Sequence, residues 1–301
     1  MKPSGPTGPR SPQPAAPKTQ APSTSASTGA PQPAAPETSR GYGLNDGFQS
    51  KRVNPNHWWP GRPLSEARHA HKTNTAEQFQ EAMKGGYNFF EADIRAGINP
   101  PHELECRHDE TGEPGNNLTL KQWLKMGKDS GRGLKLDVKE YAYVPKILDE
   151  VQAADIPDGR LMINLGDSAM SKYGAEIRRR FPNAILAINP KRSEAAKLNE
   201  TQVKRMLELA DKLGGPVTFV VRYDQLTPAA TEQLTAKGTV SVWNDPGIAA
   251  PENPPAVGAE LRRMGVNGVI DLRPPESKLE KAENALKKLP FVAKDKLEGW
   301  F

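Results

Sequence analysis

Two short stretches decide the fold: residues 87–95, which read YNFFEADIR, and residues 133–139, which read GLKLDVK. Successive side chains of an extended strand point to opposite faces, so Phe90, Ala92 and Ile94 share one face while Glu91, Asp93 and Arg95 share the other. The second stretch repeats the pattern, setting Leu134, Leu136 and Val138 opposite Lys135, Asp137 and Lys139. Helical runs lie on either side of these strands: TAEQFQEAMKGG before the first, LTLKQWLKMGKDSG between the two, and YVPKILDEVQAAD after the second. Helices covering the apolar face would leave the charged face turned toward an enclosed axis, which is the arrangement of a barrel of strands wrapped in helices.

The same alternation continues along the chain. Six further strand candidates are SEARHAH (65–71), LMINLG (161–166), AILAIN (184–189), VTFVVRY (217–223), TVSVWN (239–244) and GVIDLR (268–273). Between them fall the helical candidates SKYGAEIRRRF, ETQVKRMLELADKLGG, TPAATEQLTAKG and VGAELRRMG, and SKLEKAENALKKL follows the last strand. Eight such units match the period and the size, about 250 residues, of a (β/α)8 barrel. An open doubly wound sheet is the alternative, but no GxGxxG or GxxxxGK[ST] loop follows the first strand to cradle a phosphate. The expected fold is therefore α/β, a TIM barrel over residues 55–301. A low-complexity tail over 1–45 precedes it: the first forty residues hold 10 of the 29 prolines and no Val, Ile, Leu, Phe, Tyr or Trp. Such a segment cannot bury enough apolar surface to fold alone.

Composition excludes several functional classes. The single cysteine, Cys106, rules out an intrachain disulfide framework and a cysteine-rich zinc site. The net charge of +5 is concentrated in the tail, where Lys2, Arg10, Lys18 and Arg40 face only Glu37. No basic stripe with interleaved aromatics appears, so no nucleic-acid partner is expected. Neither a membrane-spanning apolar run nor the apolar core of a secretory signal is present. The tail is rich in Ser, Thr, Pro and Ala and free of acids before Glu37; it reads as a solvated linker or, by likeness to the export signals of bacterial type III effectors, as an address for export without a Sec signal. The expected location is accordingly cytoplasmic or exported by such a route. Oligomeric state is not legible.

In a barrel, chemistry belongs at the carboxyl ends of the strands. Glu91, Asp93 and Asp137 all point inward there, and buried carboxylates are costly unless paired or bound to a metal. An oxygen-only set suits Mg²⁺ or Ca²⁺. The alternative is a ladder of inward ion pairs, Asp137 with Lys135 or Lys139 and Glu91 with Arg95. Three of the five histidines lie at strand ends or just beyond: His69 and His71 close the first strand, and His108 follows Asp93 by fifteen residues.

The order HAH (69–71), EADIR (91–95), HD (108–109), LTLKQWL (118–124), KLDVK (135–139), VSVWN (240–244) and GVNGVIDLRP (265–274) resembles the phospholipase C-like phosphodiesterase superfamily, specifically glycerophosphodiester phosphodiesterases. LTLKQWL and KLDVK are closer to the menorin family within that superfamily. The resemblance implies that Glu91, Asp93 and Asp137 hold a divalent cation, Mg²⁺ or Ca²⁺, and that His69 and His108 form an acid–base pair. It implies that Lys139 neutralises a phosphate oxygen, a duty that Arg222 at the end of the sixth strand could share. Trp243 matches an aromatic that walls the leaving-group pocket, or is a packed barrel-end residue. The chain departs from the pattern at its first strand, where His69-Ala70-His71 stands for HRG and Thr73-Asn74-Thr75 for ENT, so His71 is either an extra ligand lining the pocket or an outward residue. The implied activity is a metal-dependent phosphodiesterase, hydrolase or cyclising lyase, acting on a glycerophosphodiester, phospholipid headgroup or related sugar-phosphate diester. The alternative is a barrel that only binds partners.

Overall fold

The computed structural model describes residues 57–58, 62–98, 102–108, 116–191 and 196–275. The tail at 1–45, Asp109 and the helical candidate after the last strand lie outside these residues.

Eight parallel strands, β1 (His69–Ala70), β2 (Phe89–Ala96), β3 (Gly133–Val138), β4 (Leu161–Leu165), β5 (Ile185–Ile188), β6 (Val217–Arg222), β7 (Thr239–Trp243) and β8 (Ile270–Asp271), pair in sequence order. Between them run α1 (Ala76–Lys84), α2 (Leu120–Ser130), α3 (Val144–Ala153), α4 (Asp167–Arg180), α5 (Glu200–Leu213), α6 (Pro228–Thr235) and α7 (Pro254–Arg263). The result is a nearly closed TIM-like barrel. Among the described residues no backbone ladder joins β8 to β1. The seam is bridged instead by side chains: His69 Nδ1 lies 3.2 Å from Asp271 Oδ2, and Arg262 Nη2 donates to the Ser65 carbonyl at 2.9 Å.

Local sequence explains where the helices start. Thr75, Thr119 and Asn199 cap α1, α2 and α5, each in a reciprocal capping box with the glutamine three residues on. Pro lies in the first turn of α3, α6 and α7, where its missing N–H costs nothing. Gly131 ends α2 in the left-handed region at φ 67°, a conformation that favours glycine.

The alternation read from sequence holds. Phe90, Ala92, Ile94, Leu134, Leu136 and Val138 are buried with Phe79, Trp123, Leu124, Ile147 and Leu148 of the helices. Inside the barrel Leu64, Ala67, Phe89, Met162, Ile185, Ala187, Val220 and Val269 form a smaller apolar cluster, most of it on the amino-terminal side of the charged residues.

Several boundaries differ from expectation. The first strand is only two residues long, because Pro63 leads into a 3₁₀ turn over Leu64–Glu66 that takes up the start of SEARHAH. Helix α4 begins at Asp167, just after Gly166, rather than at Ser171. A short strand not read from sequence, Leu104–Cys106, pairs antiparallel with the overhanging end of β2, Ile94 opposite Cys106.

Candidate functional site

The site is built from the inward residues at the carboxyl ends of β1, β2, β3 and β8. Register sets Glu91 beside Lys135 and Asp93 beside Asp137. Two like charges on adjacent strands repel, and neighbours on the same mouth relieve this. Lys139 Nζ reaches Asp137 Oδ2 at 2.6 Å and comes within 2.9 Å of Asp93 Oδ1. Asn164 Nδ2 donates to Asp137 Oδ1 at 2.8 Å and is itself steered by Asn189, whose Nδ2 donates to Asn164 Oδ1 at 2.7 Å. Asn74 grips Asp93 twice: its Nδ2 donates to Oδ2 at 2.9 Å, and its Oδ1 accepts from the Asp93 N–H at 3.0 Å.

Glu91 is the hub of a second group. Its Oε1 lies 3.3 Å from Lys135 Nζ, and its Oε2 lies 3.0 Å from His69 Nε2 and 2.8 Å from His71 Nδ1. Asp271 closes the group, with Oδ2 3.2 Å from His69 Nδ1 and 3.6 Å from His71 Nδ1. Backbone position is secured from α2: Trp123 Nε1 donates to Thr73 Oγ1 at 3.0 Å, and that hydroxyl donates to the Glu91 carbonyl at 2.8 Å.

Burial and charge pull against each other here, and charge wins. Burial alone would hold the His69 imidazole down, but Asp271 and Glu91 raise it to about 9. Burial would raise the Glu91 carboxyl, yet Lys135, His69 and His71 hold it well below the usual range. Asp271 is likewise lowered against burial, chiefly by His69. Lys135 and Lys139 are both pushed above the ordinary lysine value: burial opposes this, while Glu91 dominates for Lys135 and Asp137 for Lys139.

The geometry gathers most of the residues singled out from sequence. The carboxylate oxygens of Glu91, Asp93 and Asp137 lie within 4.8 Å of one another. His69 joins Glu91, and His71 turns inward rather than outward. Of the ion pairs in the alternative reading, Asp137–Lys139 forms and Glu91–Arg95 does not. Lys135 takes Glu91, while Arg95 pairs with Glu140 at 3.3 Å and donates from Nε to the His108 carbonyl at 3.1 Å. That bond ties the His108 backbone to the end of β2, and its half-buried side chain belongs to neither carboxylate cluster. Arg222 is held by Asp224 through two bonds of 2.5 and 2.9 Å. Trp243 ends β7 with 39% of its surface exposed, register-paired to Arg222 on one side and Asp271 on the other.

Sequence reasoning missed Asp271, Asn74 and Asn164. Asp271 was readable, since alternation along GVIDLR puts it on the same face as Val269, which packs in the barrel interior. The two asparagines carry no charge pattern to mark them.

An ion of the kind the resemblance implies fits the oxygen set. Asp93 is completely buried, yet its Oδ1 has no aligned hydrogen bond, because Lys139 approaches it off the line. Glu91, Asp93 and Asp137 would hold Mg²⁺ or Ca²⁺ through oxygen alone.

Comparison with known proteins agrees with this architecture. No curated protein matches the chain in sequence. Among solved structures, a protein from Galdieria sulphuraria assigned as a glycerophosphodiester phosphodiesterase is similar at 13% identity and a TM-score of 0.51, covering 68% of this chain and 92% of that one. A glycerophosphoryl diester phosphodiesterase from Parabacteroides distasonis matches at 16% identity and TM-score 0.48, covering 74% and 87%. One from Agrobacterium tumefaciens, similarly assigned, matches at 12% and 0.49, covering 72% and 96%. At such identities the first likeness establishes the barrel fold. The family model described as the menorin N-terminal domain matches residues 64–245, which include every strand from β1 to β7, and the chain belongs to that family.

Proposed function

We propose that the protein is a metal-dependent phosphodiesterase, acting on a glycerophosphodiester, a phospholipid headgroup or a related sugar-phosphate diester. The observation that carries the reading is the convergence of Glu91, Asp93 and Asp137 at the carboxyl end of the barrel, beside a buried imidazole. Cleaving a phosphodiester requires charge neutralisation at the phosphoryl oxygens, removal of a proton from the nucleophile and delivery of one to the leaving alkoxide. A bound Mg²⁺ or Ca²⁺ would supply Lewis-acid neutralisation of a phosphoryl oxygen. Lys139 supplies a second positive charge at the same mouth, and Arg222 a third once substrate competes with Asp224. His69 and His108 share the two proton transfers. Trp243, exposed at the rim, walls the leaving group, and His71 lines the pocket beside Glu91.

The test is turnover of a panel of glycerophosphodiesters, lysophospholipids and bis(p-nitrophenyl) phosphate, with Mg²⁺, with Ca²⁺ and with EDTA. Metal-dependent cleavage of at least one member is expected. Cleavage of none, or cleavage untouched by EDTA, refutes the proposal.

One observation favours a second reading, a non-catalytic barrel. The Lys139 ammonium between Asp93 and Asp137 lets the acids neutralise one another's burial through lysine, with no metal needed. That reading expects no effect of either cation on stability.

A further inference from the structure

The two clusters at this mouth differ in their donors. Glu91, Asp93 and Asp137 offer oxygen alone, whereas His69, His71, Glu91 and Asp271 offer two imidazoles and two carboxylates whose ligating atoms all lie within 4.8 Å of one another. We propose that this second group, which shares Glu91 with the first, is a cation site selective for a borderline divalent ion of the Zn²⁺ class. The proposal stands whether or not the protein cleaves phosphodiesters.

Ligand chemistry favours this class of ion, because imidazole with carboxylate suits zinc and its neighbours while Mg²⁺ and Ca²⁺ prefer all-oxygen sets. Spacing agrees. A tetrahedral ion with ligands at about 2.0–2.1 Å holds its donors about 3.3 Å apart. His71 Nδ1 lies 2.8 Å from Glu91 and 3.6 Å from Asp271, and His69, which can give an ion only one of its nitrogens, lies 3.0 Å from Glu91 through Nε2 or 3.2 Å from Asp271 through Nδ1.

The independent observation is the state of His69. Its side chain is only 2% exposed, and both ring nitrogens face carboxylate oxygens without forming an aligned hydrogen bond to either. A buried imidazole normally fixes its tautomer through one good hydrogen bond. A ring held among acids but out of line with them is placed to give one lone pair to an ion. Glu91 also has the support expected of a ligand, since Lys135 holds the oxygen that faces away from the histidines.

The location adds a structural consequence. These residues come from β1, the segment just after it, β2 and β8, so the ion would span the seam where, among the described residues, no backbone ladder closes the barrel. It would also have a chemical consequence that rests on the proposed function: the imidazole nitrogen that binds the ion can no longer accept a proton, so occupancy would block proton transfer at that atom of His69.

The test uses the full chain stripped with EDTA, then titrated with ZnCl₂ by calorimetry in excess Mg²⁺, with zinc-edge X-ray absorption on the loaded protein. One zinc per chain and a first shell containing imidazole nitrogen are expected. His71→Ala should weaken zinc binding about 100-fold or more, while Asp137→Asn, which removes a carboxylate outside the four ligands, should weaken it far less. Absence of zinc binding by the wild type, a shell of oxygen alone, unchanged affinity in a folded His71→Ala protein, or loss of zinc in Asp137→Asn would each overturn the proposal. Should His71→Ala not fold, the wild-type absorption spectrum decides. A dead enzyme that still binds zinc through imidazole refutes only the catalytic reading.

Discussion

The lower and upper halves of the barrel interior are built on the same strand faces, yet they are chemical opposites. Phe89 lies two residues before Glu91, Ala67 before His69, Met162 before Asn164 and Val269 before Asp271. In each of these four segments a step of two residues leads from the packed apolar plug to the polar mouth. Direction is set by alternation and is common to both halves; what differs is whether a side chain meets another strand's hydrocarbon or the strand-end loops. The plug also governs the mouth. It keeps water from the underside of Glu91 and Asp93, so each carboxylate must be answered by a lysine, a histidine or an asparagine. The two halves should therefore fail in different currencies, the upper in chemistry and the lower in stability.

The largest effect is expected from the upper half. His108→Ala should lower turnover by about 10²–10⁴-fold, the usual contribution of a positioned acid or base. Its melting temperature should fall far less than after a core truncation, because the imidazole is half-buried beyond a strand end and is not part of the apolar core. Phe89→Ala should do the reverse. Truncating this fully buried ring should cost about 3–5 kcal/mol in a urea melt, while the divalent-ion affinity proposed for Glu91, Asp93 and Asp137 should persist in whatever fraction is folded. A stable but inactive Phe89→Ala protein, or an unfolded His108→Ala one, would break the division between the halves.

The facing of the strand residues was legible in the sequence, their partners at the mouth only in part, for a physical reason. Alternation is a local property, so the inward direction of Glu91, Asp93 and Asp137 and the outward direction of Leu134 and Leu136 could be read without knowing any neighbour. Partnership is not local. The ion-pair alternative put Glu91 with Arg95 of its own strand, but residues four apart on a strand are separated by about 13 Å, and register with β3 brings Lys135 to its side instead. Arg95 then serves Glu140, beyond the strand end. Asp271 and the asparagines Asn74 and Asn164 escaped notice because their importance comes from which strands close on which. His71 could not be assigned a face, since β1 ends at Ala70 and leaves the alternation unsupported one residue later.

Charge coupling gives the next test, on metal-free protein. His69 is raised from its ordinary value near 6.5 to about 9, so its favourable interaction with Asp271 and Glu91 is fully present below about pH 6.5 and fades as pH rises through 9. The interaction is worth about 3 kcal/mol at most. Urea melts in EDTA should thus show stability falling between pH 7 and pH 10, and Asp271→Asn should flatten that fall and move it to lower pH. A profile of the wild type that is level across this range would mean that the imidazole is not coupled to the acids as described.

The smallest effect sharpens the comparison most, because it decides whether the charged half needs an ion. Saturating Mg²⁺ or Ca²⁺ at about 100 times its dissociation constant should raise wild-type stability by about 2.7 kcal/mol, and Asp137→Asn should abolish the gain. Lys139→Met separates the two accounts of why Asp93 and Asp137 tolerate each other. Without the ammonium the two carboxylates face one another with only asparagine donors left, so the metal-free protein should melt earlier than wild type. If the acids form a cation site, a divalent ion then enters without displacing lysine, and its stabilising effect should exceed that on the wild type. If lysine is the only cation this pair is built to hold, neither ion will restore what Lys139→Met loses, and the mouth of the barrel is an ion-pair lattice rather than a metal centre.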